Sequence, residues 1–359
     1  MIPAERIVYS FLFFLIAILF FLYANLMAEK IRELLLEKKK EGLLKELSPL
    51  IDKTFEKLSH GKAPGEEIRL LKKRAKIPLQ RELISEKIIS YSELVEGRVK
   101  EELGQLAEAL GLVDYELKNL KTKSIPARAL ACRRLGEYRS RKALPALLKA
   151  LALPSLDVKF QALEALAKIG DLEYFLKAFL EPYGVQLFSE RSLIEIIDGF
   201  EGDKEAMYKK MISHEDDYLA SVFIKSAGNG RFVGVASELL ENLYSPSFMR
   251  KIAAVKALGQ IAAPEFTHSL IGELKNPDWR IRAVTAKALG EAQNTAALPA
   301  LKEAVGDENW WVRYNAARAI IKMGNYKDLV QEIFSGEDPF AKDMLRYVLK
   351  TAEQKAGHP

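Results

Sequence analysis

A segment that recurs at a fixed interval limits this chain more than any other feature. Aligned on their ends, "IPARALACRRLG" (residues 125–136), "FMRKIAAVKALG" (248–259), "WRIRAVTAKALG" (279–290) and "WWVRYNAARAII" (310–321) share a basic fourth position, filled by Arg128, Lys251, Arg282 and Arg313. Lys159 in "LDVKFQALEALA" and Arg191 in "FSERSLIEIIDG" occupy the same place in two intermediate copies, and Ala220 in "DYLASVFIKSAG" breaks the charge. The copies lie about 30 residues apart, the spacing of units that cannot bury an apolar face alone and must stack on their neighbours.

Within each unit an apolar helix such as "ALPALKEAV" precedes a polar turn such as "GDEN" and then a second helix. Alanines at Ala316, Ala317 and Ala319 let neighbouring helices approach closely. The expected fold is therefore all-α: an α-solenoid of seven helical hairpins in a right-handed or gently curved stack, ended by a polar cap helix, "DPFAKDMLRYVLKTAEQ". The expected regions are a short tail at 1–6, a transmembrane helix at 7–28, a juxtamembrane helix at 29–60, a helical lead-in at 61–124, the array at 125–338, and the cap with its tail at 339–359.

The transmembrane assignment rests on "IVYSFLFFLIAILFFLYANLM", residues 7–27, which carries no charge and spans roughly 30 Å as a helix. Tyr9 and Tyr23 stand toward its ends, where aromatic rings suit the headgroup region. A cleaved signal peptide is the competing reading. It is disfavoured by the barely basic "MIPAER", the length of the apolar run and the poor cleavage site "LMA". Arg6 alone precedes the span, whereas Lys30, Arg32, Lys38, Lys39 and Lys40 follow it. This asymmetry predicts a single-pass inner (cytoplasmic) membrane protein with its carboxyl-terminal domain in the cytoplasm.

After the span, Leu43, Leu44, Leu47 and Leu50 give the juxtamembrane helix one apolar stripe. "GKAPG" breaks it, and a second helical region runs from Glu66 to about Leu120 with interruptions at Pro78, Gly97 and Gly111. The basic cluster Lys72, Lys73, Arg74 and Lys76 fits either anionic lipid or a solvated face.

Composition supplies exclusions. A formal charge of +5 spread over 359 residues does not mark a nucleic-acid binder. Cys132, the single cysteine, excludes an internal disulfide and falls at a packed repeat position. The histidines are His60, His214, His268 and His358, and only His214-Glu215 forms a His-Glu pair of the kind an iron site needs in number. "GNGRFVG" (228–234) follows a helix and reads as a loop between repeats. No catalytic, cofactor-binding or metal-binding residue, and no small-molecule substrate, is legible.

"ALPALKEAVGDENWWVRYNAARAIIKMG" and "DWRIRAVTAKALGEA" resemble HEAT repeats of the short bacterial type also found in phycobilisome lyase subunits, over residues 125 to about 344. The stretch "LGQLAEALGLVDYELKNLKTKSIPARALACRRLGEY" resembles a group of bacterial membrane-anchored HEAT proteins. The resemblance implies a scaffold or adaptor, with a membrane glycosyltransferase or another envelope complex as the class of partner. A lyase-type enzyme subunit and a nucleic-acid binder are the alternatives it leaves open, the last opposed by the membrane tether. It further implies that Arg128, Lys159, Arg191, Lys251, Arg282 and Arg313 form a structural inter-repeat ladder, pairing with Asp278, Asp307 and Asn309 in neighbouring turns.

Two other positions frame the candidate binding surface. Trp310 aligns with Trp279 and Phe248 and is expected to pack between repeats, whereas Trp311 aligns with Arg280, Met249 and Tyr218 and is expected to face water. Five residues beyond the basic fourth position, Lys225, Lys256, Lys287 and Arg318 form a second row. With Val312, Ala316, Ala319, Ile320 and Met323 as the packed face of the last repeat, Trp311, Asn315, Arg318 and Lys322 fall on the other side. The resemblance places such second helices on the concave surface of the stack. Lys225, Met249, Lys256, Arg280, Lys287, Trp311, Asn315 and Arg318 are thus the expected contacts for an acidic segment of a protein partner, a solvated face being the plainer reading.

Overall fold

The computed structural model describes the backbone of residues 4–324 and 327–356, with side chains for residues 11–324 and 327–352. The first three residues of the expected tail, the side chains of Arg6 and Tyr9, and His358 lie outside the described residues. Among the described residues every regular element is helical. The expected all-α class is what is observed.

The first helix, α1 (Ala4–Ser59), runs without interruption through both the apolar segment and the juxtamembrane segment. No helix break separates the segments expected at 7–28 and 29–60, since the Glu, Lys and Leu of "AEKIRELLLEKKKEGLLKEL" are strong helix formers and nothing there stops propagation. Even Pro49 is accommodated within the helix. By length and composition α1 is able to cross a membrane. Its side chains are exposed from Phe11 to Lys39, and its burial begins in earnest at Leu47 and Ile51.

The chain divides into two compact units, Met1–Ala165 and Leu166–Pro359. In the first, α1 packs against α2 (Gly65–Arg74), α3 (Pro78–Leu94) and α4 (Arg98–Ala109). Leu47, Ile51, Leu71, Ile84, Ile88 and Leu103 make its core. The breaks fall where the sequence sets them: Pro78 opens α3, and Gly97 (φ 61°) and Gly111 (φ 78°) precede α4 and α5 (Leu112–Asn119) in a backbone region that favours glycine. Arg74 of the basic cluster pairs with Glu46 of α1 at 2.6 Å.

Paired helices begin earlier than expected. Helix α5 packs against α6 (Ile125–Glu137), and its buried Glu116 meets Arg134 of α6 at 3.0 Å. The expected boundary at 124/125 therefore separates two members of one pair. Helices α7 (Leu144–Ala150) and α8 (Leu156–Ile169) follow.

The second unit continues with α9 (Leu172–Leu180), α10 (Glu190–Asp198), α11 (Lys204–Ile212), α12 (Asp217–Asn229), α13 (Ala236–Leu243) and α14 (Phe248–Ile261). It closes with α15 (Thr267–Glu273), α16 (Trp279–Ala292), α17 (Leu298–Ala304), α18 (Trp310–Lys322), α19 (Lys327–Ser335) and α20 (Pro339–Ala356). Each second helix packs on the next, α10 on α12, then α14, α16, α18 and α20, while α11, α13, α15, α17 and α19 each pack on the helix that follows. The expected cap, α20, is thus the second member of a further pair and buries Ala341, Met344, Leu345 and Val348.

The recurrent "ALG" explains how closely the second helices stack. A β-carbon built on Gly228 would lie 2.6 Å from Cα of Ala257, one on Gly259 would lie 2.6 Å from Cβ of Ala288, and one on Gly290 would lie 2.7 Å from Cβ of Ala319. In the first unit Gly136 stands in the same relation to Ala165, 2.6 Å from its Cα. Carbon atoms make ordinary contact at about 3.5–4.0 Å, so only glycine permits these approaches.

Candidate partner-binding surface

The basic fourth position is only partly a ladder. Arg282 fits that role best: it is 8% exposed, donates to both carboxylate oxygens of Asp307 in the following unit at 2.7 and 2.9 Å, and reaches the Asn276 and Pro277 carbonyls of its own turn at 2.9 and 3.1 Å. The Asp307 carboxylate holds its pKa above the usual arginine value. Arg313 donates to the Asp307 and Glu308 carbonyls at 2.8 and 3.0 Å, so two successive arginines grip one turn from both sides. Arg128 likewise donates to the Thr122 carbonyl of its own turn.

Elsewhere the register differs. On α14 the contact to the preceding unit comes from Arg250, which donates to Asp217 and to the His214 carbonyl, while Lys251 is half-buried beside it. Lys159 is half-buried and Arg191 exposed; residues 181–189, ahead of α10, insert a 3-10 turn at Val185–Leu187. Of the acceptors expected from neighbouring turns, Asp307 serves as such. Asp278 and Asn309 instead cap their own helices, accepting from the backbone N–H of Arg280 and Trp311 at 2.9 Å each. Asp307 does both, accepting from the Asn309 N–H at 2.8 Å as well as from Arg282.

The second row does reach solvent. Lys256, Lys287 and Arg318 are exposed on α14, α16 and α18. Lys225 on α12 is held to Glu190 of α10 at 2.7 Å, and Lys287 stands 3.6 Å from Glu291. Burial of its stem, then the like charges of Lys225 and Lys287, hold Lys256 below the usual lysine value. Among the ion pairs of the described residues, none includes Lys256 or Arg318. An incoming carboxylate would relieve that repulsion.

The aromatic expectations divide. Met249, Arg280 and Trp311 face solvent as expected. Trp310 is not buried between repeats: it is 42% exposed, as are Trp279 and Phe248 to a similar degree, and it reaches the next unit through a ring contact with Tyr347 of α20 at 6.3 Å. Trp310 also stacks on Tyr314 one turn along α18, with centroids 5.0 Å apart, and meets Trp311 edge-on at 4.8 Å. Arg280 lies over the Phe248 ring at 4.1 Å and Arg313 over Phe340 at 5.4 Å, so cations tie one unit's aromatic edge to the next. Asn315 turns inward, and its amide donates to the Ala283 carbonyl of α16 at 2.9 Å. It therefore braces two helices while also lining a groove beside α18 and α20.

A family model for HEAT repeats matches residues 116–182 and 267–349. The chain carries HEAT repeats. Solved structures similar to it include human deoxyhypusine hydroxylase in complex with glycerol, at 18% identity over 72% of this chain and 96% of that one, with a TM-score of 0.32. The CpcE–CpcF complex of phycocyanin lyase from Nostoc is 17% identical over 78% and 94%, with a TM-score of 0.25. An engineered protein is 17% identical over 84% and 98%, with a TM-score of 0.38. None of these likenesses bears on what the chain binds. Comparison with curated proteins yields no match.

The HEAT surface carries a feature absent from the sequence reading. Beside α18 and α20 lies a groove of about 490 Å³, lined among others by Lys287, Glu291, Tyr314, Arg318, Lys322 and Tyr347. The only signal in the sequence was the loss of "ALG" in the last copy, where "AII" replaces it. Among the described residues no group of three or more His, Cys, Asp or Glu side chains is placed to hold a metal ion. Cys132 is buried, and that burial pushes its thiol up to about 12, far from a nucleophile's range.

Proposed function

We propose that this HEAT protein is a membrane-tethered, non-catalytic scaffold. Residues 7–28 anchor it as a single pass in the inner (cytoplasmic) membrane, the basic flank from Lys30 to Lys40 holds the array in the cytoplasm, and the second helices α12 to α18 capture an acidic segment of a membrane-associated protein. The class of partner implied by the sequence resemblance is a membrane glycosyltransferase or another envelope complex.

One observation carries the reading. Lys225, Lys256, Lys287 and Arg318 stand at one register position on four successive second helices, and Lys256 is exposed with no ion-pair partner among the described residues. Such a stripe offers complementarity to a linear acidic segment, which governs specificity and association rate more than raw affinity. Rim aromatics such as Trp311 supply apolar area beside it.

Affinity capture of the tagged full-length chain from mildly solubilised membranes tests the proposal, with a charge reversal at Lys256, Lys287 and Arg318 run in parallel. The wild type should recover a membrane protein that the reversed chain does not, at unchanged helicity and melting. Equal recovery by both chains removes the row as the binding surface. Protease digestion of sealed inner-membrane vesicles of known orientation tests the topology, and protection of the HEAT array from a cytoplasmic-side protease would refute it.

A further inference from the structure

The last helix junction departs from the three before it in both of its contact residues. At the junctions of α12 with α14, α14 with α16, and α16 with α18, a glycine at the twelfth position of one helix meets an alanine at the tenth position of the next. At the junction of α18 with α20 those two places hold Ile321 and Val348. Two branched side chains cannot occupy a gap into which a single β-carbon does not fit, so α20 stands off from α18. The groove of about 490 Å³ opens there, with Ile321 and Val348 in its lining.

Its walls are chemically uneven. The Tyr314 and Tyr347 rings meet at a tilt of 54° with centroids 6.2 Å apart, and Arg318 lies over the Tyr314 ring at 5.5 Å. Among the described residues Lys287, Arg318 and Lys322 line it as cations, against Glu291 as the one carboxylate. Those three cations are solvent-exposed, and Tyr347 is 51% exposed, so the groove is reachable from outside.

We propose that this groove is the anchor site of the scaffold surface and that its occupant is an acidic peptide segment carrying one aromatic side chain. The aromatic group packs against the tilted Tyr314–Tyr347 pair, beside Ile321 and Val348, and flanking carboxylates meet Lys287, Arg318 and Lys322. Three cations against one carboxylate select the sign of the segment. The tyrosine rings and the branched side chains beside them select an aromatic side chain. This deepens the scaffold reading and rests on it, since Lys287 and Arg318 belong to both the row and the groove.

The probe is a nine-residue peptide of four glutamates, one phenylalanine and four glutamates, titrated calorimetrically into the full-length chain in detergent micelles. Replacing the phenylalanine by glycine should weaken binding by about tenfold, and replacing the glutamates by lysines should abolish it. Thr351→Trp fills the groove while keeping every cation, and should also weaken binding by about tenfold. No binding of the phenylalanine peptide, equal binding of the glycine peptide, or undiminished binding by T351W overturns the proposal. Failure of the groove and failure of the scaffold are distinguishable. If T351W still captures the membrane partner while the triple charge reversal does not, the groove falls and the row stands; if the reversal also captures it, the row falls as well.

Discussion

Replacing Gly259 by alanine opposes two well-defined effects of opposite sign. Alanine is favoured over glycine in a helix by about 1 kcal/mol, so propensity alone makes G259A more stable. Against that, the new β-carbon would lie 2.6 Å from Cβ of Ala288, 2.8 Å from its Cα and 2.9 Å from its carbonyl oxygen. Two of those atoms are backbone and cannot rotate away. Overpacking costs about 1–3 kcal/mol, and a backbone obstacle puts this site at the upper end, leaving a net loss of about 2 kcal/mol after the propensity gain. Urea unfolding of the full-length chain, followed by circular dichroism at the helix band, reads the sign. Hydrogen exchange localises the loss to α14 and α16, because repeat arrays respond chiefly at the affected interface. Adding Ala288→Gly should not rescue the variant, since the Cα and carbonyl contacts remain. The control is Gly42→Ala, where nothing lies within 4 Å of the added carbon and no loss is expected. A G259A chain as stable as the wild type, or more so, refutes the close-contact account of the "ALG" repeat.

Three further outcomes follow from other contacts. Arg282→Ala strands Asp307, which is 12% exposed, and should cost about 3 kcal/mol by the same urea assay; a loss under about 0.5 kcal/mol would show the pair to be idle. Glu67 is gripped by Lys57 at 2.6 Å and Lys53 at 3.1 Å, and the hydrogen bond from Lys57, before other causes, lowers its pKa from 4.5 to about 2. The unfolded chain takes up that proton first, so the contribution is complete above pH 4.5, erodes as pH falls toward 2, and should vanish from the acid limb of the stability profile in Glu67→Gln. Cys132, buried with its thiol raised to about 12, should resist maleimide at pH 8 until urea unfolds α6, and labelling of the native chain at the rate of a free thiol contradicts its burial.

Much of this was legible from residue types alone. Pro78, Gly97 and Gly111 end helices by local backbone chemistry, so the breaks appear in the structure where the sequence puts them. Val312, Ala316, Ala319 and Ile320 are buried and Trp311, Arg318 and Lys322 exposed, because one helical periodicity assigns both faces. Trp310 touches Tyr347 of the next unit yet stays 42% exposed for a related reason. Periodicity gives the angle of a side chain around the helix and says nothing of whether a neighbour extends far enough to cover it.

The sequence by itself determined the helical class, the repeat, the apolar segment able to cross a membrane, and the row of cations at one register position, since each depends on spacing along a single helix. Tertiary structure decided what depends on distances between helices. It turned Asn315 inward to the Ala283 carbonyl, moved the α14 contact from Lys251 to Arg250, made Asp278 and Asn309 caps in place of ladder partners, and brought Arg282 and Arg313 to the same turn. It also opened a groove where Ile321 and Val348 replace a glycine and an alanine. In the sequence those two residues are 27 positions apart and unremarkable; they matter because the three preceding junctions are closed by contacts that neither can make.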